Sequence, residues 1–426
     1  MAAVSPTIIV GSRVAEKIDY RERKRKTTVS QETYRRWSEA LVNVGGRRYA
    51  VATKPGVFAD GRVDTATVML AEQVDVSKDD VVVHMNCGNG LAGTVIAASG
   101  IAGRVILSDR NVLSVEAARR TLAANGLSAV EVFLGQGSHL MPDDLVADIV
   151  AIRIPQEKFA LLQLLSDAFR LLRPGGRCYF AGATNEGVKS AAKHAGQIFG
   201  NANVLAYDAG HRVVVSEKTS NEVFNPDATD SPCLRPDEFR ELRVTLRGEA
   251  LVLYSRPGVF SWDHLDEATE ILTDVMDIPA GASVVDLGCG SGPLGITASK
   301  LSKGGHVVMV DADIEAVRSA EKSAAAAGIG NYQVLPSDVA GAVIDERFDV
   351  VVTNPPFHVG KQSELSVPLQ FIDDAWQVLV PGGRIFLVAN RTLPYETPLK
   401  RRFGNITTLH DGRQFKVLSA KKSQGI

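Results

Sequence analysis

Cysteine is scarce in this chain: only four occur in 426 residues, Cys87, Cys178, Cys233 and Cys289, and none stands in a CxxC or Cys/His ligand spacing. A disulfide framework and a zinc site are therefore not expected, and reduced thiols are the simplest reading. Eight histidines are scattered singly, so no metal is expected from them either. Apolar runs of membrane length are lacking, because the longest are strand-length and broken by charges. The segment from Met1 to Gly11 is briefly apolar but has no basic region before it and no small-residue cleavage site after it, so a cytoplasmic protein is expected. An excess of one charge is missing too: 47 Lys and Arg face 49 Asp and Glu, a net charge of −2. Any contact with nucleic acid must then come from local patches.

The remaining composition, 45% hydrophobic and 23% charged, is that of a globular protein long enough for two cored domains. A repeat supports two. Lys54-Pro55-Gly56-Val57-Phe58 recurs as Arg256-Pro257-Gly258-Val259-Phe260, an offset of 256 − 54 = 202 residues. The same offset carries His84-Met85-Asn86-Cys87-Gly88-Asn89-Gly90 onto Asp286-Leu287-Gly288-Cys289-Gly290-Ser291-Gly292, and Asp109 onto Asp311. Farther on the offset drifts, as loop insertions would cause. Each half reads as strand, glycine-rich turn, helix and further alternating strands and helices, which implies a parallel sheet covered on both faces. In the second half strands are expected at 283–287, 306–310, 332–335, 348–353 and 384–389, with helices at 314–327 and 365–379. Residues 219–237, polar and rich in Pro, Asp and Ser, read as a linker. The expected division is a basic arm at 1–29, one domain at 30–218, the linker, and a second domain at 238–426.

Basic residues cluster at Arg21 to Lys26, and aromatics interleave at Tyr34 and Trp37. Arg23 and Arg25 are candidates for phosphate-backbone contact, against the plainer reading of a solvated helix face.

The chemistry concentrates in the second half. Val351-Val352-Thr353 ends abruptly in Asn354-Pro355-Pro356-Phe357. Two prolines fix the backbone and donate nothing, so the Asn354 side-chain oxygen and the neighbouring carbonyls can accept from a planar amino group while Phe357 offers a stacking face. Upstream, Val284 to Gly292 is a strand entering a GxGxG turn, where glycines Gly288, Gly290 and Gly292 let the backbone approach a ligand at a helix N-terminus. Asp311 ends the next strand, where a carboxylate takes both ribose hydroxyls, and Asp338 after the third strand is placed to accept from an adenine amino group.

This order of motifs resembles the class I S-adenosylmethionine-dependent methyltransferases that modify amino nitrogens. The flanks, Tyr254 to Ser261, Val388 to Tyr395 and Gly412 to Val417, are similar to the RsmC/RlmG group of ribosomal RNA guanine-N2 methyltransferases, over roughly residues 240–420. The resemblance implies two tandem Rossmann-like α/β methyltransferase domains, the N-terminal copy degenerate and supporting substrate binding. It further implies S-adenosylmethionine as cofactor, held by Asp286, Gly288, Gly290, Gly292, Asp311 and Asp338, and catalysis by Asn354, Pro355 and Phe357. Ribosomal RNA or a ribosomal subunit is the implied partner, approached past Lys361, Arg391, Arg413 and Lys416, by a protein expected to be monomeric. His84 in place of Asp286, and Arg153-Ile154-Pro155-Gln156 in place of the Asn-Pro-Pro-Phe loop, mark the first copy as degenerate; Arg153 could instead meet a phosphate. The loop alone also fits adenine N6 or protein glutamine as acceptor, and a non-catalytic RNA-binding assembly protein is the reading from another class.

Overall fold

The structure is a computed structural model, and it describes residues 34–139, 141–219, 231–356 and 366–423. Arg23 and Arg25 of the basic arm, most of the expected linker, Phe357 and Lys361 lie outside the described residues.

The chain divides into two compact units, Met1–Asp109 with Ser114–Ser231, and Arg110–Leu113 with Pro232–Ile426. In the first half the order is β1 (Ser38–Val44), β2 (Arg47–Thr53), α1 (Thr65–Gln73), β3 (Val81–Met85), α2 (Leu91–Ala98), β4 (Arg104–Asp109), α3 (Val112–Ala124), β5 (Glu131–Leu134), β6 (Ala147–Arg153), α4 (Lys158–Leu171), β7 (Leu172–Ala183), α5 (Val188–Phe199), β8 (Asn203–Asp208) and β9 (His211–Glu217). The second half repeats it as β10 (Arg240–Leu246), β11 (Glu249–Ser255), α6 (Glu267–Val275), β12 (Ser283–Leu287), α7 (Pro293–Leu301), β13 (His306–Asp311), α8 (Ile314–Ala326), β14 (Tyr332–Pro336), β15 (Phe348–Thr353), α9 (Ser366–Val378), β16 (Leu379–Asn390), α10 (Glu396–Phe403), β17 (Thr407–Asp411) and β18 (Phe415–Lys421).

Each unit holds one seven-stranded sheet, ordered β5-β4-β3-β6-β7-β9-β8 and β14-β13-β12-β15-β16-β18-β17. The central strands are parallel and nearly all apolar. Val284, Val285, Leu287, Val307, Val308, Val351 and Val352 are all fully buried, as a strand covered on both faces requires. The topology reverses between β13 and β15 on either side of β12, the place where open α/β sheets present a crevice beyond their strand ends.

The alternating pattern predicts a parallel sheet, but each sheet is mixed. β18 runs antiparallel to β16 and to β17, and β9 antiparallel to β7 and β8. A short turn between β17 and β18, closed by the Gly412 N–H donating to the Phe415 carbonyl at 2.9 Å, leaves no room for the crossover that parallel pairing needs. Each unit also carries a separate antiparallel hairpin, β1–β2 and β10–β11, ahead of the strands of its large sheet. In the latter, Leu242, Leu246, Leu251 and Leu253 alternate into the core beside α6.

Candidate active site

Three chain segments reach the carboxyl end of β12. The first is the glycine turn. Gly288, Gly290 and Gly292 have φ of +73°, +54° and +89°, and a Cβ at Gly292 would lie 3.2 Å from the Ala320 Cβ, so the turn packs tightly onto α8. Gly292 precedes α7, with Pro293 in the first helical turn, where its missing N–H costs nothing. The helix therefore starts at the strand end, with its Gly295 N–H turned to a carboxylate of β12.

The second is a pair of carboxylates. Asp286 Oδ2 accepts from the Gly295 N–H at 2.8 Å, while its Oδ1 is buried with no partner. Burial of this side chain pushes its pKa up to about 8, with Asp311 adding to the rise against the Gly295 hydrogen bond. Asp311 Oδ2 accepts from Gly290 N–H and Oδ1 from Asp313 N–H, each at 2.9 Å, which leaves one further acceptor position per oxygen. Desolvation, and the Asp313 charge after it, raise Asp311 to about 6. Asp338 stands half-buried just past β14, where its carbonyl accepts from Gly341 N–H at 2.8 Å. The cofactor-binding residues expected from the sequence thus lie at or just past the carboxyl ends of the neighbouring strands β12, β13 and β14. An unpartnered buried carboxylate oxygen and a turn of three left-handed glycines fit a small ligand carrying a cationic group and a diol.

The third segment ends β15. Thr353 Oγ1 donates to the Leu287 carbonyl at 2.7 Å, so the two strand ends are tied together. Asn354 follows, half-buried, then Pro355 buried and Pro356 exposed. Both protons of the Asn354 amide are used: Nδ2 donates to Asp266 Oδ2 at 2.9 Å and to Thr269 Oγ1 at 3.0 Å. A carboxylate only accepts, so the amide has one orientation, with Oδ1 buried and unpartnered. An acceptor left so costs about 1–3 kcal/mol, which a ligand amine would recover. Asp266 is the N-cap of α6, and the same Oδ2 accepts from Thr269 N at 2.8 Å and Thr269 Oγ1 at 3.0 Å.

Asp266 and Thr269 are absent from the expected site, although the sequence carries their signal. Asp64 and Thr67 stand 202 residues earlier with the same geometry: Asp64 Oδ2 accepts from Thr67 N at 3.0 Å and Thr67 Oγ1 at 2.5 Å. An Asp-x-x-Thr repeated in register was legible as a shared cap.

The first unit shows what was lost. Leu287 pairs with Thr353 and Met85 with Ile152, so sheet register makes Arg153 the counterpart of Asn354. Arg153 does not face a phosphate. It is 5% exposed, its Nε donates to Asp64 Oδ2 at 2.7 Å, and Nη2 donates to Asp64 Oδ1 at 3.1 Å and Glu186 Oε1 at 2.8 Å. His84, fully buried, replaces Asp286: its Nδ1 accepts from Gly93 N–H at 3.2 Å, so the proton sits on Nε2, which has no partner. Desolvation lowers its pKa to about 4, leaving it neutral. The backbone N–H is still satisfied, but the free acceptor has become a donor.

Among the surface candidates, Arg391 and Arg413 are exposed, and Arg391 pairs with Asp411 at 3.2 Å. Lys416, expected beside them, is instead buried, its Nζ donating to Glu396 at 2.5 Å. Lys400, Arg401 and Arg402 form the last turn of α10, where cations complement the helix dipole, and Arg402 lies 4.1 Å over the Trp376 ring. Among the described residues no group of three or more His, Cys, Asp or Glu could hold a metal ion, and no helix is long and apolar enough to cross a membrane.

Comparison with known proteins agrees with this geometry. The model of the methyltransferase small domain matches twice, at residues 48–215 and 250–419. A Hahella chejuensis protein named ribosomal RNA small subunit methyltransferase C is 32% identical over 280 residues, 66% of this chain and 79% of that protein. A Mannheimia succiniciproducens protein of the same name is 32% identical over 297 residues, 69% of this chain and 82% of that one. A solved structure, described as the Thermus thermophilus 16S rRNA N2 G1207 methyltransferase (RsmC) in complex with AdoMet and guanosine, has 30% identity and a TM-score of 0.75. It covers 92% of this chain and 100% of its own. Two sheets of one topology, each matched by the same family model, one with its acceptors intact and the other with them replaced, mean that the chain belongs to the methyltransferase small domain family in tandem form.

Proposed function

We propose that the chain transfers a methyl group from S-adenosylmethionine to the exocyclic N2 amine of a guanine in small-subunit ribosomal RNA. The observation that carries this reading is the Asn354 amide, locked by Asp266 and Thr269 so that a lone buried oxygen awaits an N–H donor. S-adenosylmethionine, when bound, supplies an electrophilic methyl group on a sulfonium. The unpaired Asp286 oxygen suits its ammonium, Asp311 its ribose hydroxyls and Asp338 its adenine amine.

The guanine 2-amino lone pair is delocalised into the ring. Accepting its protons at Asn354 Oδ1 and at the Pro355 carbonyl favours a pyramidal nitrogen, aims the lone pair and shares the positive charge that develops. Phe357 is the expected stacking ring. A base held in a duplex is first extruded. The first copy supports this work without performing it, since Arg153 fills the position of the amine acceptor and His84 offers the wrong hydrogen-bond polarity to an ammonium. We read residues 30–218 as that supporting domain and 238–426 as the catalytic one. Exposed Arg391 and Arg413, with Lys361 and the arm residues Arg23 and Arg25, are the proposed RNA contacts. A ribosomal substrate implies work in the cytoplasm, and we read the enzyme as a monomer, which sedimentation would check.

The test is transfer of labelled methyl to unmodified ribosomal RNA and small subunits, then nucleoside digestion and mass identification. N2-methylguanosine is expected, with the guanine matching G1207 mapped first. Label in methyladenosine or protein glutamine would move the enzyme to another acceptor, and no transfer to any of these would leave a non-catalytic RNA-binding role.

A further inference from the structure

The two units preserve one more feature that the reaction does not yet use. The turn after each hairpin is the same in backbone detail. Val57 N–H donates to the Lys54 carbonyl and Val259 N–H to Arg256; Arg62 N–H donates to Ala59 and His264 N–H to Ser261. Gly56 and Gly258 have φ of +94° and +88°, and the non-glycine residues Ala59 and Ser261 share the left-handed region at +60° and +48°. Left-handed backbone at two equivalent non-glycine positions costs free energy twice, so the conformation that presents the preceding phenylalanine is held by its surroundings. In the second unit Arg256, buried beneath the turn, pairs with the buried Glu315 on α8 and fixes it to the fold.

The phenylalanines themselves are not buried. Phe58 is 46% exposed and Phe260 59%, each a large apolar ring in water within a rigid turn. In the first unit something lies on the ring: the Arg153 guanidinium, 5.0 Å from the Phe58 centroid. That guanidinium is planar, donates through several N–H groups to Asp64 and Glu186, and occupies the strand-end position of Asn354. It has the size and donor pattern of the amidine edge of a guanine. In the second unit the matching residue is the shorter Asn354, drawn back onto Asp266 and Thr269, and among the described residues no cation lies over Phe260.

We propose that Phe260 is a stacking face for the acceptor base, which lies where Arg153 lies in the first unit. This rests on the methyl-transfer reading above and adds a residue to it. Stacking needs only a π face, so Phe260 contributes to holding the base, whereas the choice of amine belongs to Asn354 and Pro355. The ring is exposed before RNA arrives because its partner is the substrate.

The experiment measures kcat and KM for methyl transfer to unmodified small-subunit RNA by the full chain, its Phe260→Ala variant and its Phe260→Trp variant, with S-adenosylmethionine affinity by titration calorimetry. Phe260→Ala is expected to lower kcat/KM for RNA about five- to hundredfold, mostly through KM, with cofactor affinity and melting temperature unchanged. Phe260→Trp is expected to restore most of it. Unchanged kcat/KM in Phe260→Ala overturns the proposal. So does a loss that Trp fails to rescue and that cofactor affinity and melting temperature share, which would mark a structural residue. The nucleoside recovered from wild-type product tests the reaction itself, and the variant-to-wild-type ratio on that RNA tests the stacking whichever base carries the methyl group.

Discussion

At the scale of single residues, two acceptors of the site, Asn354 Oδ1 and Asp286 Oδ1, are buried without a protein donor. Asn354→Ala removes one, and methyl transfer is expected to fall by about 10²–10³ in kcat while cofactor affinity, measured by calorimetry, stays within a factor of two. Asp266→Ala leaves Asn354 in place but frees its amide to rotate. We expect kcat about tenfold lower and, from the lost helix cap, about 1 kcal/mol of stability, read by urea denaturation. Asp286 has a pH signature. Its pKa rises from 3.8 to about 8 on folding without ligand, so the fold favours its protonated form, and stability is lost as pH climbs through that window. Asp286→Asn is expected to melt at a higher temperature than wild type at pH 8, to show a flatter profile between pH 4 and 8, and to bind cofactor poorly. Wild-type cofactor affinity is expected to increase as pH rises toward 8, because the cationic ligand selects the ionised carboxylate.

At the scale of elements, the sequence was legible where one period dominates. The buried valines of β12, β13 and β15 and the alanine-rich face of α8 stand within a residue or two of their expected bounds. The hairpin β10–β11 and the β17–β18 return were passed over, because two-sided alternation in short segments is a weaker signal than an apolar run, and antiparallel closure depends on a turn rather than on a period. Asn354 was legible because its strand ends in two prolines; Asp266 was not, because helix capping already explains an Asp-x-x-Thr. The role of Arg153 was out of reach for another reason. A lone arginine at a strand end says nothing about carboxylates 89 and 33 residues away. Arg153→Leu would leave Asp64 and Glu186 as uncompensated partly buried charges, and we expect about 3–5 kcal/mol of destabilisation by urea denaturation, at neutral pH. Transfer per folded molecule is expected to persist, since the second unit's acceptors are untouched.

At the scale of the whole molecule, duplication has produced two sheets of one topology with one set of intact acceptors. Calorimetry of the full chain is expected to find a single S-adenosylmethionine site rather than two, because His84 presents N–H where Asp286 presents a lone pair. With a net charge of −2, RNA affinity should nevertheless fall as salt rises, since it would rest on a local set of cations.

One oxygen atom, Asp266 Oδ2, both caps the first turn of α6 and holds the Asn354 amide. Helix ends fray well before a domain melts. Warming that loosens this turn would set the amide free while the sheet stays intact, so the activity of this enzyme should decline at temperatures where calorimetry still reports a native protein. Cooling should bring that activity back without refolding.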